Sequence, residues 1–139
     1  MKRWLAILLA LVLVLSLCAC GKQAAPFEGG APVVNDGDVI GEGKNSFTLE
    51  IVDGDGNKIT ATVNCDDTVV GDALQAYGII AGEEAEYGLY IKSVNGITAD
   101  YDKDGTYWSF YVNGDYAVTG VDMTEIENGA TYTLTVETM

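Results

Sequence analysis

The sequence contains no histidine, and its one arginine is Arg3. It has only two prolines and three cysteines, and no apolar run reaches the roughly 20 residues needed to cross a bilayer core. Without histidine, the usual catalytic triads and most proton shuttles are unavailable. Carboxylates are too frequent along the chain for one pair to stand out as a general acid and base. We therefore expect no enzymatic activity.

The first residues are typical of a secretion signal. A short basic start is followed by an almost entirely apolar stretch, Trp4–Leu17. The next letters, LCACG, place Ala19 before Cys20 and a glycine after it, which resembles the lipobox of bacterial lipoproteins. We predict a signal peptide over residues 1–19, lipid on Cys20, and anchoring to the outer face of the bacterial cell membrane. The alternative is an ordinary secretory signal cleaved after Ala19.

Cleavage would leave a strongly acidic chain with a single free thiol. Removing residues 1–19 reduces the basic residues from seven to five, against 21 acidic residues, so the formal net charge changes from −14 to −16. This charge repels nucleic acid, which we exclude as a partner. With lipid on Cys20, Cys65 is the only remaining cysteine, and an intramolecular disulfide is excluded. The domain must therefore be held together by its hydrophobic core.

Composition divides the chain into a linker, residues 20–45, and one domain, residues 46–139. The linker holds both prolines and many glycines, with no sustained periodicity, although VVNDGDVI within it offers an edge strand. The domain starts with two alternating stretches, SFTLEIV and KITATVN, which predict a β-hairpin around DGDGN. Next, apolar residues at helical spacing predict a short helix that ends at Gly78: Val70, Ala73, Leu74 and Tyr77.

Strands return after the helix. Two of them run into Asn-Gly pairs, Asn95-Gly96 and Asn113-Gly114, which favour two-residue hairpin turns because both residues adopt positive φ. The stretch TYTLTVE closes the chain as a further strand. The order of elements predicts an α+β fold with a single core.

Four stretches after residue 89 resemble the transcobalamin-like C-terminal domain family. They are YIKSVNGI, YWSFYVNG, AVTGVD and IENGATYTLTV, and TVVGDAL matches the start of the family's helix. The resemblance covers nearly all of residues 46–139. It implies a β-grasp-like domain of the kind that closes over a corrinoid in transcobalamin and intrinsic factor. This chain has no sequence corresponding to their helical domain, and without histidine it supplies no imidazole to the cobalt.

The resemblance implies a surface-anchored protein that captures a small ligand, with a corrinoid such as cobalamin as the candidate, and presents it to a membrane transporter. The alternative is a cell-surface adhesion or spacer module that binds a protein or a wall polymer. We expect the hairpin around Trp108 and Tyr111 to bind a flat, largely apolar molecule, with Tyr111 paired to Tyr116 across the turn. The alternative is that these rings only pack the sheet. The candidate ligand-binding residues are Tyr90, Ser93, Tyr107, Trp108, Tyr111 and Tyr116.

Three aspartates at alternate positions, Asp100, Asp102 and Asp104, are weak candidates for calcium ligands. With Gly105 they match the start of an EF-hand loop, but the twelfth position, where a bidentate glutamate is required, is Tyr111. We therefore interpret this stretch as a polar turn leading into the hairpin and predict no metal site.

Overall fold

The computed structural model describes residues 32–139. The signal peptide predicted for residues 1–19, the lipidation predicted at Cys20 and the linker up to residue 31 lie outside the described residues. In the described part of the chain, no helix is both long and apolar enough to cross a membrane.

Within residues 32–139, nine strands and three short helices follow one another. In order they are β1 (Val39–Ile40), β2 (Asn45–Val52), β3 (Lys58–Cys65), α1 (Val70–Ala76), β4 (Ile80–Ala85), β5 (Gly88–Val94), β6 (Ile97–Thr98), α2 (Tyr101–Asp104), β7 (Thr106–Val112), β8 (Asp115–Tyr116), a 3₁₀ helix (Val121–Met123) and β9 (Thr131–Thr138).

The larger of two sheets has six strands in the order β1-β3-β2-β9-β7-β8. The predicted β2–β3 hairpin is confirmed, with Leu49 opposite Ala61. Strand β9 lies between the two hairpins, antiparallel to β7 and parallel to β2. The domain is mainly antiparallel sheet with few helices, as the α+β prediction requires; the finer β-grasp-like assignment stays a prediction.

One face of this sheet carries the core. Alternate residues of β2, β3, β7 and β9 point to it, and the helix α1 covers it with Val70, Ala73 and Leu74, none of which is exposed. These are three of the residues that the helical spacing indicated. The helix ends at Gly78, whose φ of 72° is the left-handed value favoured after a helix.

The smaller sheet, β4-β5-β6, contributes one wall of the candidate site. Its register shifts by one residue where Ala81 pairs with Ser93 but Gly82 pairs with Ile91, so Lys92 is an extra residue in β5. A bulge of this kind re-aims side chains. It places Ile91 and Val94 on one face of the smaller sheet and Ser93 on the other, and all three are buried.

Two segments differ from the sequence-based expectation. From residue 32 onward, the stretch predicted as flexible linker packs on the domain: Val34 is fully buried, and β1 pairs in parallel with β3. The stretch predicted as a polar turn is instead the single-turn helix α2. Asp100 caps its first turn by accepting the backbone N–H of Asp102 at 3.0 Å, and Gly105 ends it with a φ of 72°.

Candidate functional site

A cleft of about 340 Å³ opens between the two sheets. One wall is formed by Tyr87 and residues 89–91, the second by residues 108–110, and the third by residues 116–121. Because consecutive residues of both β5 and β7 line it, the strands present their edges as well as one face to the cleft. Its size is within the range of small-molecule sites, which starts at about 300 Å³.

Trp108 is the most informative residue of the cleft. Its side chain is only 8% exposed, and its indole Nε1–H is buried without an acceptor among the residues that the structure describes. A buried donor without a partner is costly, by about 1–3 kcal/mol. Because Trp108 lines the cleft, this unpaired donor marks the cleft as a candidate site.

The backbone of Trp108 also faces the cleft side of β7. The Asn113 N–H donates to the Thr131 carbonyl, so in the antiparallel ladder with β9 the odd-numbered residues of β7 are those bonded to β9. The backbone N–H and C=O of Phe110 point away from β9, since the Phe110 carbonyl accepts the Ala117 N–H at 3.0 Å. The backbone groups of Trp108 point in the same direction as those of Phe110. Trp108 lies beyond the end of β8, which pairs only with Tyr111 and Val112. Its N–H and C=O are thus at a free strand edge.

The loop that forms the third wall is held by Asp122. One carboxylate oxygen, Oδ2, accepts the Leu89 N–H at 3.1 Å, which ties the loop to β5. The other oxygen, Oδ1, is buried and has no hydrogen-bond donor among residues 32–139. Neither this loop nor Asp122 was a sequence candidate, although both lie within the AVTGVD stretch that carries part of the family resemblance.

The rim of the cleft is apolar and open to solvent. Tyr87 is 87% exposed, Tyr116 65% and Val118 100%. Three large apolar side chains exposed around one opening indicate a contact surface rather than an ordinary solvated loop.

The opposite face of β7 carries a second group of tyrosines. Tyr111 pairs with Tyr116 across the turn as predicted, with edge-to-face rings 5.4 Å apart. The Tyr111 hydroxyl donates to Glu137, and that of Tyr107 does so at 3.3 Å. The hydrogen bond from Tyr111 is the main reason that the pKa of Glu137 is lowered, so this carboxylate is ionised at neutral pH. Burial, more than its bond to Glu137, raises the pKa of Tyr107.

The six predicted site residues therefore do not form one surface in the structure. Tyr90, Trp108 and Tyr116 line the cleft, whereas Tyr107 and Tyr111 lie on the other face of β7. Ser93 is buried between β4 and β6 and is not part of the cleft wall. Alternation along β7 separates Trp108 from Tyr111, which the sequence analysis had assigned to one binding surface.

Two of the three candidate calcium ligands serve local structure. Asp100 caps α2, and Asp104 accepts hydrogen bonds from the hydroxyl and, at 3.0 Å, from the backbone N–H of Thr106. The bond from the hydroxyl is the main cause that lowers the pKa of Asp104, and the backbone bond adds to it. Within residues 32–139, no three side chains of histidine, cysteine, aspartate or glutamate are grouped so as to hold a metal ion.

Solved structures that resemble this domain include the following two. One is the crystal structure of a "putative metal binding protein" from Ruminococcus gnavus ATCC 29149, with 27% sequence identity and a TM-score of 0.65 over 69% of this chain and 99% of that chain. The other is haptocorrin in complex with Cbi, with 20% identity and a TM-score of 0.52 over 68% of this chain. The match spans one quarter of haptocorrin, 25% of its length, and at this identity it shows similarity of fold alone. No curated protein matches the chain.

A family model also matches the chain in sequence. It covers residues 66–138, more than half of the chain, from the residue after Cys65 to the last residue of β9. It thus includes every wall of the cleft. The chain belongs to the family described as a domain of unknown function (DUF4430).

Proposed function

We propose that this domain binds a small, flat, amide-bearing ligand in the cleft, with a corrinoid as the first candidate. The unpartnered indole N–H of Trp108 carries the proposal, because a ligand carbonyl would supply the acceptor that the protein lacks. The free backbone N–H and C=O of the same residue suit an amide group. A corrinoid combines a flat macrocycle with peripheral amides, and the fold similarity to haptocorrin in complex with Cbi supports this choice.

The cleft would enclose such a ligand only in part. At about 340 Å³ it is smaller than a corrinoid, so the rim formed by Tyr87, Tyr116 and Val118 would contact one face while the other face stays in water. Incomplete desolvation limits affinity, and we expect a dissociation constant on the order of micromolar. We further propose that the chain has no catalytic role and that a membrane transporter receives the ligand.

The test is titration of the processed chain, in which Trp108 is the only tryptophan, with cobinamide, cobalamin and haem. Fluorescence quenching corrected for the inner-filter effect gives the affinity, and calorimetry confirms it. The double variant Tyr116→Ala/Val118→Ala removes two rim contacts and should weaken binding about tenfold or more. Val39→Ala is the matched control, because Val39 is also exposed but lies in β1, at the opposite edge of the sheet.

Two outcomes would refute the proposal. If none of the three ligands binds below millimolar concentration, the capture role is wrong, and the alternative of an adhesion or spacer module takes its place. If a ligand binds but the rim variant and Val39→Ala have the same affinity, the ligand uses a different surface.

We propose that lipid on Cys20 anchors this domain to the membrane. The support is the LCACG sequence. Cys20→Ser should accumulate as an unprocessed precursor without lipid label. Cys18→Ser is the control and should be processed and labelled like the wild type, since serine is usual at that position of the lipobox. Normal labelling of Cys20→Ser would contradict the assignment.

A further inference from the structure

A second recess adjoins the cleft, with which it shares Tyr90, and three of its five lining residues are tyrosines. It has a volume of about 410 Å³ and is formed by Tyr90, Tyr101, Asp102, Tyr107 and Met139; we call it the tyrosine recess. Tyr90 lies in β5, Tyr101 and Asp102 form the first turn of α2, and Tyr107 is near the start of β7. The single-turn helix α2 therefore brings one ring and one carboxylate to the rings of two strands.

The rings of this recess are suited to a positive charge. An aromatic face carries a negative electrostatic potential that attracts cations. The Tyr107 hydroxyl donates to the carboxylate of Glu137, an ionised group at neutral pH, which increases the electron density of that ring. Tyr90 already contacts one cation, because the Lys92 ammonium lies 5.9 Å from its ring centroid. Lys92 is not part of the recess wall, so the recess itself is not filled by that ammonium.

The negative charge at the recess also favours a cation. The Asp102 carboxylate forms no ion pair or side-chain hydrogen bond in the part of the chain that the structure describes; only its backbone N–H is bonded, to Asp100. The whole chain carries a formal charge of −14. An anion would be repelled by this charge, whereas a cation would be attracted to the Asp102 carboxylate. A metal ion needs more oxygen ligands than this one carboxylate supplies.

We propose that the tyrosine recess binds a small organic cation of the quaternary or methylated ammonium class. Such a cation is weakly hydrated, so the rings of Tyr90, Tyr101 and Tyr107 can replace its water while Asp102 balances its charge. This site shares Tyr90 with the cleft but is otherwise lined by different residues, and the proposal does not rest on the ligand proposed for the cleft.

The test compares choline with 3,3-dimethylbutan-1-ol, which has the same shape without the charge, on the processed chain. Binding is followed by calorimetry and by shifts of the tyrosine ring resonances. Choline should bind with a dissociation constant on the order of 1 mM, and the neutral analogue at least about tenfold more weakly. Equal binding of the two molecules would overturn the proposal, since it would show a merely apolar recess, and so would absence of choline binding at tens of millimolar.

Variants of the residues that line the recess test whether choline binds there. Tyr101→Leu should weaken choline binding by about threefold or more, whereas Tyr101→Phe, which keeps the aromatic face, should not. Asp102→Asn should also weaken it and should reduce its dependence on salt. Tyr87→Leu is the matched control, because Tyr87 is exposed on the rim of the cleft and outside the recess. Tyr101 and Asp102 are themselves exposed, so these variants should fold, which thermal unfolding verifies. Wild-type affinity in Tyr101→Leu would place choline elsewhere and refute the assignment.

Discussion

Replacing Tyr132 with alanine is expected to destabilise the domain by about 3–5 kcal/mol, a large part of the roughly 5–15 kcal/mol by which a domain is usually stable. Tyr132 is fully buried in the central strand β9. Its ring meets Phe47 edge-on at 5.2 Å and lies nearly parallel to Phe110 at 6.0 Å. Truncation would therefore leave a cavity where the two hairpins of the sheet meet.

The Tyr132 hydroxyl has its own part in the fold. It donates to the Glu125 carbonyl at 3.1 Å and accepts the Glu127 N–H at 2.9 Å, which fixes the loop before β9. Tyr132→Phe keeps the ring but leaves both backbone groups without this partner, so it should cost about 1–3 kcal/mol. Urea unfolding measures both variants, with an unchanged slope indicating a change in stability alone. A cost below about 1.5 kcal/mol for the alanine variant would show that the surrounding core collapses into the space.

The elements that could be predicted from the sequence depend on neighbouring residues. The β2–β3 hairpin follows from period-two alternation, and α1 follows from the spacing of Val70, Ala73 and Leu74. Both Asn-Gly turns have positive φ at both residues, with Asn95 at 51° and Asn113 at 49°. Each of these features is stabilised within a few residues of chain, so a local pattern is enough to indicate it.

The features that escaped prediction depend on distant parts of the chain or on weak local signals. The parallel pairing of β9 with β2 joins Leu49 to Tyr132 across most of the domain, and alternation in either strand says nothing about its neighbour. The extra residue Lys92 in β5 breaks the alternation that assigns faces. The helix α2 had local signals, a capping Asp100 and a terminal Gly105, but four residues give no periodicity.

The candidate site was predictable in residue type but not in arrangement. The aromatic residues of YWSFYVNG were recognised, yet their division between two surfaces follows from which face α1 covers, and this is a property of the whole fold. In the third wall of the cleft, the residues that follow Tyr116, 117–121, lack any periodic or aromatic signal. Its position depends on the hydrogen bond from Leu89 to Asp122, between residues 33 positions apart.

Asn95 belongs both to the features that local sequence predicts and to those that depend on distant contacts. It forms a predicted turn, and its side chain also holds a distant segment of the chain. It is only 6% exposed, and its side-chain oxygen Oδ1 accepts the N–H groups of Val33 and Val34 at 2.6 and 3.0 Å. Its side-chain nitrogen Nδ2 donates to the Val34 carbonyl at 2.9 Å. One amide thus satisfies the backbone of a segment 61 residues away and holds Val34 in the core. A sequence pattern cannot reveal this contact, because the composition around Val34 is that of a linker.

Asn95→Gly is expected to destabilise the domain by about 2–3 kcal/mol, because glycine retains the positive φ of the turn but removes all three hydrogen bonds. Asn113→Gly is the matched control. It changes the same residue in the same kind of turn, where the side chain accepts only the exposed Thr131 N–H, so we expect a cost of about 1 kcal/mol or less. Hydrogen exchange should locate the difference: the Val34 amide should lose protection in Asn95→Gly and keep it in Asn113→Gly. If the two variants had equal stability and equal Val34 protection, the segment before β1 would be held by the burial of Val34 and the pairing of β1 with β3, and the Asn95 side chain would contribute little.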